Sequence, residues 1–122
     1  YDAKLADAER GRVLAEFGAR APAMPDAASR RDLHLALGEA ALRLGLGEGV
    51  ALDHFVAALE AGVVSRPVRA DTLVRAGELA RELGRVELAR RHYALFAAEF
   101  PRDPRRLLVV ERLAALDGEG EP

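Results

Sequence analysis

ADTLVRAGELARELGRVELARRHYALFAAEFPRD, the stretch from Ala70 to Asp103, decides how this chain folds. In its first half, apolar and small residues recur at the i, i+3, i+4, i+7 spacing that is typical of one face of an α-helix. A similar spacing continues in the second half, where aromatic residues take part in the face. Gly84 lies between the halves and is suited to end a helix in a left-handed conformation. Pro101 ends the second half, so the stretch predicts two amphipathic helices joined by a tight turn.

Gly77 lies in the middle of the first of these helices. A glycine there costs about 1 kcal/mol relative to alanine. Gly77 and the nearby Ala80 are small, so a neighbouring helix is able to approach closely. We therefore expect a close helix–helix contact at Gly77 that compensates for the cost.

An earlier segment, from Leu33 to Gly62, repeats this pattern. Gly38 and Gly45 match Gly77 and Gly84, and the alanines between them have the same spacing. These glycines predict a second helical hairpin with its own close contact and its own turn.

The two copies differ in length by one residue. Phe55 and Tyr93, which correspond in the second helices, are 38 residues apart, whereas the matching glycines are 39 residues apart. The turn after Gly45 is therefore predicted to be one residue longer than the turn after Gly84.

The segment from Tyr1 to Phe17 has helical spacing, and its tail up to Pro22 resembles the end of the Ala70–Asp103 stretch. It is predicted to be the second helix of an upstream repeat. The chain starts with tyrosine in mid-helix, which favours a piece of a longer protein. Asp26 or Ser29 is predicted to cap the helix that follows.

Asp103 and Pro104 form a typical helix start. They predict a last helix that covers the end of the preceding hairpin. The acidic residues 118–122 are predicted to be a disordered tail.

In the organising stretch, Leu73, Gly77, Ala80, Tyr93 and Pro101 resemble, at their spacing, the 34-residue tetratricopeptide repeat. The resemblance implies an all-α domain over residues 1–117, built as a short right-handed α-solenoid of antiparallel helix hairpins. About 2.5 repeats plus a capping helix are expected. It also implies a non-catalytic interaction module or scaffold that binds a partner peptide or helix in a concave groove, for example in assembly of a bacterial cell-envelope or multiprotein complex.

The resemblance implies that this groove is lined by the face of each first helix opposite the packing stripe, which is the apolar face that carries Gly38 or Gly77. Glu39, Glu78 and Glu82 lie on the groove face, and further residues of the first helices complete the set of groove candidates. The set comprises Leu35, Glu39, Leu42, Arg43, Val74, Glu78, Arg81 and Glu82, with Asp32 and Asp71 as further candidates. Its mixture of acidic and apolar side chains favours a basic or amphipathic partner segment. A plain solvated face with local ion pairs would carry similar residues, so both interpretations stay open.

Composition narrows the possible functions. The net charge of −2 gives no bulk attraction to nucleic acid or to anionic membranes. Cysteine is absent, which excludes disulfides, thiol catalysis and iron–sulfur clusters. Seventeen arginines stand against one lysine, and Ile and Asn are absent, as codon bias in a GC-rich bacterial genome would produce. None of this chooses between the bacterial cytoplasm and the cell envelope.

No catalytic constellation can be made out, so neither enzymatic activity nor a cofactor is predicted. His54 and His92 occupy matching points of the two repeats, about 8–10 Å apart, which is too far for one metal ion. They are predicted to be half-exposed histidines without a metal.

Two other functions are compatible with the sequence. Self-association would cover the apolar end faces of a truncated repeat array. Nucleic-acid binding would use the densest basic group, which comprises Arg90, Arg91, Arg102, Arg105 and Arg106. That group lacks an aromatic platform or a phosphate loop, which disfavours nucleic acid as the partner.

Overall fold

The computed structural model describes residues 11–12, 26–63 and 65–119. Within these residues the chain forms five α-helices and no strand, which confirms the all-α prediction. The helices are α1 (Ala27–Leu44), α2 (Glu48–Ala61), α3 (Arg66–Glu82), α4 (Val86–Glu99) and α5 (Arg106–Glu119). The helix predicted over Tyr1–Phe17 lies outside the described residues, apart from helical positions 11 and 12.

The chain divides into two compact units, Tyr1–Val63 and Val64–Pro122. In the first unit, α1 packs against α2 to form the first hairpin. In the second unit, α3 packs against α4 to form the second hairpin, and α5 packs against α4. Each hairpin therefore coincides with one copy of the sequence repeat.

A glycine of the first helix lies directly against an aromatic ring of the second helix in both hairpins. A Cβ atom on Gly38 would come within 2.7 Å of Phe55 Cε1, and one on Gly77 within 2.6 Å of Tyr93 Cε1. These separations are well below van der Waals contact, so neither glycine has room for a side chain. Phe55 is 1% exposed and Tyr93 0%. The predicted close contact at Gly77 is confirmed, and it recurs at Gly38.

Both turns use a left-handed glycine, as predicted. Gly45 has a φ of 65° and Gly84 a φ of 74°. In each turn, the N–H of the next residue donates to a carbonyl five positions back, at 3.0 Å and 2.8 Å, which is the hydrogen bond of a Schellman motif. Two residues separate Gly45 from α2, but only Arg85 separates Gly84 from α4. The longer first turn is therefore confirmed.

Aspartates cap the helix starts before α1 and α5. Asp26 Oδ1 accepts the Ala28 N–H at 3.0 Å, while Ser29 Oγ donates to Asp26 Oδ2 at 3.0 Å. Of the two candidate caps for α1, Asp26 is thus the one that binds the backbone. Asp103 Oδ1 accepts the Arg105 N–H at 2.9 Å.

The last helix extends further than its sequence pattern predicts. It ends at Glu119, so residues 118 and 119 of the expected tail are helical. Gly118 weakens a helix without breaking it, at a cost of about 1 kcal/mol. Residues 120–122 lie outside the described part of the chain.

Candidate interaction surface

The predicted groove residues lie on the first helix of each hairpin in the same register. Leu35, Glu39, Leu42 and Arg43 belong to α1, and Val74, Glu78, Arg81 and Glu82 belong to α3. Each α3 residue follows its α1 counterpart by 39 positions, as the matching glycines do. We call these two sets the α1 surface and the α3 surface, and each is described within its own unit.

The α1 surface is open to solvent. Leu42 is 38% exposed, although it is a large apolar side chain. Glu39 and Arg43 are exposed, and Leu35 is half-buried. The α1 surface therefore presents leucine side chains together with charges of both signs, which is the chemistry that an amphipathic segment would need.

On the α3 surface, Glu78 is engaged in contacts within the chain. Tyr93 of α4 donates its hydroxyl proton to Glu78 Oε1 at 2.7 Å. Arg81 Nη2 donates to Glu78 Oε2 at 3.3 Å, and Arg112 Nε of α5 lies 3.6 Å from Oε1. One carboxylate thus connects α3, α4 and α5. Its structural role was not part of the sequence-based prediction.

The surroundings of Glu78 leave it little capacity to bind a partner. Arg81 Nε and Arg112 Nε are buried and have no hydrogen-bond partner. Two guanidinium groups and a phenol therefore share one carboxylate. The N–H and O–H donors around Glu78 outnumber the acceptor sites of its two oxygens. Burial and the neighbouring Glu78 charge both raise the pKa of Tyr93, so its hydroxyl stays protonated as a donor. A basic side chain of a partner would have to displace these contacts.

The exposed residues of the two surfaces are therefore the better candidates for partner contact. Glu82 is exposed on α3, and Leu42 and Arg43 are exposed on α1. Val74 and Arg81 are half-buried. Glu78 is better understood as an internal anchor of the second unit, and a charge reversal there would disturb the fold as well as any binding.

Sequence reasoning missed a histidine pair in the first hairpin. His34 Nδ1 of α1 lies 2.9 Å from His54 Nδ1 of α2. The ring centroids are 5.2 Å apart and the planes are tilted by 34°. The two histidines lie on different helices of one hairpin, so neither helical spacing nor repeat matching signals their contact.

The pair is a hydrogen bond between two imidazole rings. One Nδ1 must carry a proton and donate it, while the other must be unprotonated and accept it. If both rings became imidazolium ions, both Nδ1 atoms would carry protons and the two N–H groups would oppose each other. Burial lowers the pKa of both imidazoles. The charge of Arg30 lowers the pKa of His34 further. The pKa of His54 is lowered further by His34, whereas Asp53 acts to raise it.

We predict that acidification destabilises the first hairpin through this pair. The folded pKa values lie below the unfolded value of about 6.5, so the unfolded chain binds more protons. The pair's contribution is therefore fully present above that pH and is lost as the pH falls below it. The unfolding equilibrium constant should rise by up to about tenfold per pH unit for each histidine. Amide hydrogen exchange in α1 and α2 at several pH values measures this.

The matched control is the double variant His34→Gln with His54→Gln, which keeps His92 and every carboxylate. Its first hairpin should show a weaker pH dependence than the unmodified chain between neutral and mildly acidic pH. Equal slopes for the two proteins would contradict a contribution from the pair.

His92 differs from its predicted state. It is 4% exposed, not half-exposed. Its Nδ1 lies 2.8 Å from the Leu88 carbonyl oxygen, to which it donates within α4. A histidine that satisfies its own helix in this way packs like a core residue.

Carboxylates engage part of the basic group. Arg105 donates to Asp103 at 2.9 Å and to Asp71 at 2.6 Å. This pairing, with the backbone hydrogen bond of Asp103, lowers the pKa of that carboxyl to about 2. Arg90 donates to Asp117 at 2.9 Å and also pairs with Glu87. These arginines therefore contribute to the second unit's own ion pairs.

The described residues contain no cluster of three or more histidine and carboxylate side chains that could hold a metal ion. None of the helices formed by these residues has the length and apolar character needed to cross a membrane.

Comparison with family models, with curated proteins and with solved structures finds no match to this chain.

Proposed function

We propose that this chain is a non-catalytic interaction module of the tetratricopeptide-like type, which binds an extended or helical segment of another protein. The observation that carries the proposal is the contrast between core and surface in the two hairpins. Both cores use a glycine against a buried aromatic ring, at Gly38 and Gly77. Between the α1 and α3 surfaces, however, Leu42 is replaced by Arg81 and Arg43 by Glu82.

This contrast supports binding because the scaffold is repeated while the exposed chemistry varies. Repeat proteins use such variable positions for partner choice. The right-handed solenoid and the concave groove that the resemblance implies remain part of this proposal. Partner contact is assigned first to the α1 surface, where Leu42 and Arg43 are exposed.

The mixed chemistry of the α1 surface favours an amphipathic partner segment. Leu42 offers apolar area that would be removed from water on binding. Glu39 and Arg43 would fix the register of the segment through charge complementarity.

A peptide library displayed on phage tests the proposal. We expect peptides enriched on the full chain to bind at least about tenfold more weakly to the variant Leu42→Glu with Arg43→Glu. That change is equivalent to about 1.4 kcal/mol of binding free energy. Both residues are exposed, so the variant should remain folded.

The matched control is Ala98→Glu with Arg91→Glu, which makes the same change of −3 in net charge at two exposed positions of α4. It should leave peptide binding unchanged. If no peptide is enriched, or if the α1-surface variant binds the selected peptides as well as the unmodified chain does, the α1 surface is not the binding site.

A further inference from the structure

The last helix, α5, carries buried apolar residues on one side and exposed apolar residues on the other. Val109 and Leu116 are 0% and 2% exposed on the side that packs within the second unit. The opposite side is also apolar: Leu107 is 70% exposed, Leu108 43% and Val110 38%. Exposed apolar side chains that cluster on one side of a helix are typical of an interaction site, so the outward side of α5 has the composition of a covered surface.

The second hairpin shows what covers such a side in this fold. A proline lies near the start of both helices, Pro67 for α3 and Pro104 for α5. Gly77 and Ala114 each follow that proline by ten residues, so they occupy corresponding positions. Tyr93 of α4 lies against Gly77, whereas Ala114 is exposed. The face that contacts a neighbouring helix on α3 is therefore exposed to solvent on α5. A further helix would fit against this face.

One charge lies within this open side. Glu111 is exposed and stands one helical turn from both Leu107 and Ala115. A helix that covered the stripe would desolvate its carboxylate, which is costly unless a cation is placed opposite. Two copies of α5 packed about a two-fold axis would bring their Glu111 side chains together, and like charges repel. A lipid surface would likewise draw the carboxylate into an apolar phase.

We propose that the outward side of α5 is a docking site for an amphipathic helix of another protein, with one arginine or lysine on its apolar side opposite Glu111. We call the site, formed by Leu107, Leu108, Val110, Glu111 and Ala114, the α5 surface. The proposal rests on the assignment of the chain as an interaction module and adds a second surface with a defined partner chemistry.

The test uses two synthetic helical peptides of about 18 residues, or about five turns. Both carry leucines on one side and alternating charges on the other. One has a single arginine in the centre of the leucine side, and the matched peptide has glutamate there. We expect the arginine peptide to shift the α5 amide resonances of the full chain and to bind at least about tenfold more tightly than the glutamate peptide.

Three variants at exposed positions complete the test. Glu111→Arg should reverse the preference, so that the glutamate peptide binds more tightly. Leu107→Glu should abolish binding of both peptides. The variant Leu42→Glu with Arg43→Glu should keep full binding at α5. If the arginine peptide binds α5 but the phage-selected peptides do not use the α1 surface, the α5 proposal holds while the α1 assignment fails.

The proposal is overturned if neither peptide shifts α5 resonances at millimolar concentration, or if both bind equally. It is also overturned if sedimentation shows a dimer of the chain that Leu107→Glu dissolves, since a second copy would then be the occupant. Binding of anionic phospholipid vesicles that Leu107→Glu abolishes would equally assign the surface to a membrane.

Discussion

Replacement of Gly77 by valine should lower the free energy of unfolding of the second hairpin by about 3 kcal/mol, near the upper end for an overpacked core. The new Cβ would lie 2.6 Å from Cε1 and 2.7 Å from Cδ1 of Tyr93. The ring is fully buried, so it is unable to move aside without displacing its neighbours. Amide hydrogen exchange in α3 and α4 measures the loss separately from the first hairpin.

Two comparisons test the cause of that loss. Ala94→Val adds a similar side chain at an exposed position of α4 and should change stability by no more than about 0.5 kcal/mol. Gly38→Val should destabilise the first hairpin to a similar degree, because Phe55 Cε1 would lie 2.7 Å from its Cβ. A tolerated valine at Gly77 would mean that the hairpin is packed less closely than described.

Truncation of Tyr93 to alanine should be the second large effect, with a loss of about 4 kcal/mol. This change empties the space against Gly77 and also removes the hydroxyl that donates to Glu78. Tyr93→Phe removes only the hydroxyl, and should cost about 1–2 kcal/mol. Denaturant unfolding of the two variants, combined with hydrogen exchange in α4, measures both.

A double-mutant cycle with Glu78→Ala, which removes the accepting oxygen, separates the hydrogen bond from the packing. If the bond couples the two residues, Tyr93→Phe should cost less in the Glu78→Ala background than in the unmodified chain. Full additivity of the two changes would contradict the assignment of Glu78 as an internal anchor.

The hairpins were predictable from the sequence because their determinants are local. Gly45 and Gly84 supply the left-handed residues that the turns require. Gly77 is costly within a helix, which indicated a close contact before its partner was known. Each of these signals depends on one residue type in one backbone conformation.

The fate of Glu78 was not predictable from helical spacing alone. Its position follows Gly77 and falls on the face opposite the packing stripe, so it counts as outward on a helical wheel. Its side chain is long enough to reach back to the hydroxyl of Tyr93. The available signal for this contact was that the second hairpin has a tyrosine, Tyr93, where the first has Phe55. A buried hydroxyl normally needs a hydrogen-bond partner.

The histidine pair was missed for a related reason. Repeat matching compares His54 with His92, which belong to different hairpins, whereas the hydrogen bond joins His34 and His54 across one hairpin. Contacts between α1 and α2 depend on how their faces meet, and only the position of Gly38 against Phe55 defines that. The identity of the partner is even harder to predict from the sequence, because exposed side chains are not constrained by packing.

The single hydroxyl that distinguishes Tyr93 from Phe55 also gives the two hairpins different ultraviolet absorption and fluorescence. Tryptophan is absent, and Tyr93 and Tyr1 are the two tyrosines. In a Tyr1→Phe chain, near-ultraviolet absorption and emission would come almost entirely from one phenol, hydrogen-bonded to a carboxylate in the second hairpin. Rupture of that bond would change its emission, while the phenylalanine-based first hairpin would be nearly silent. The protein thus carries a native fluorophore that reports on one of its two repeats.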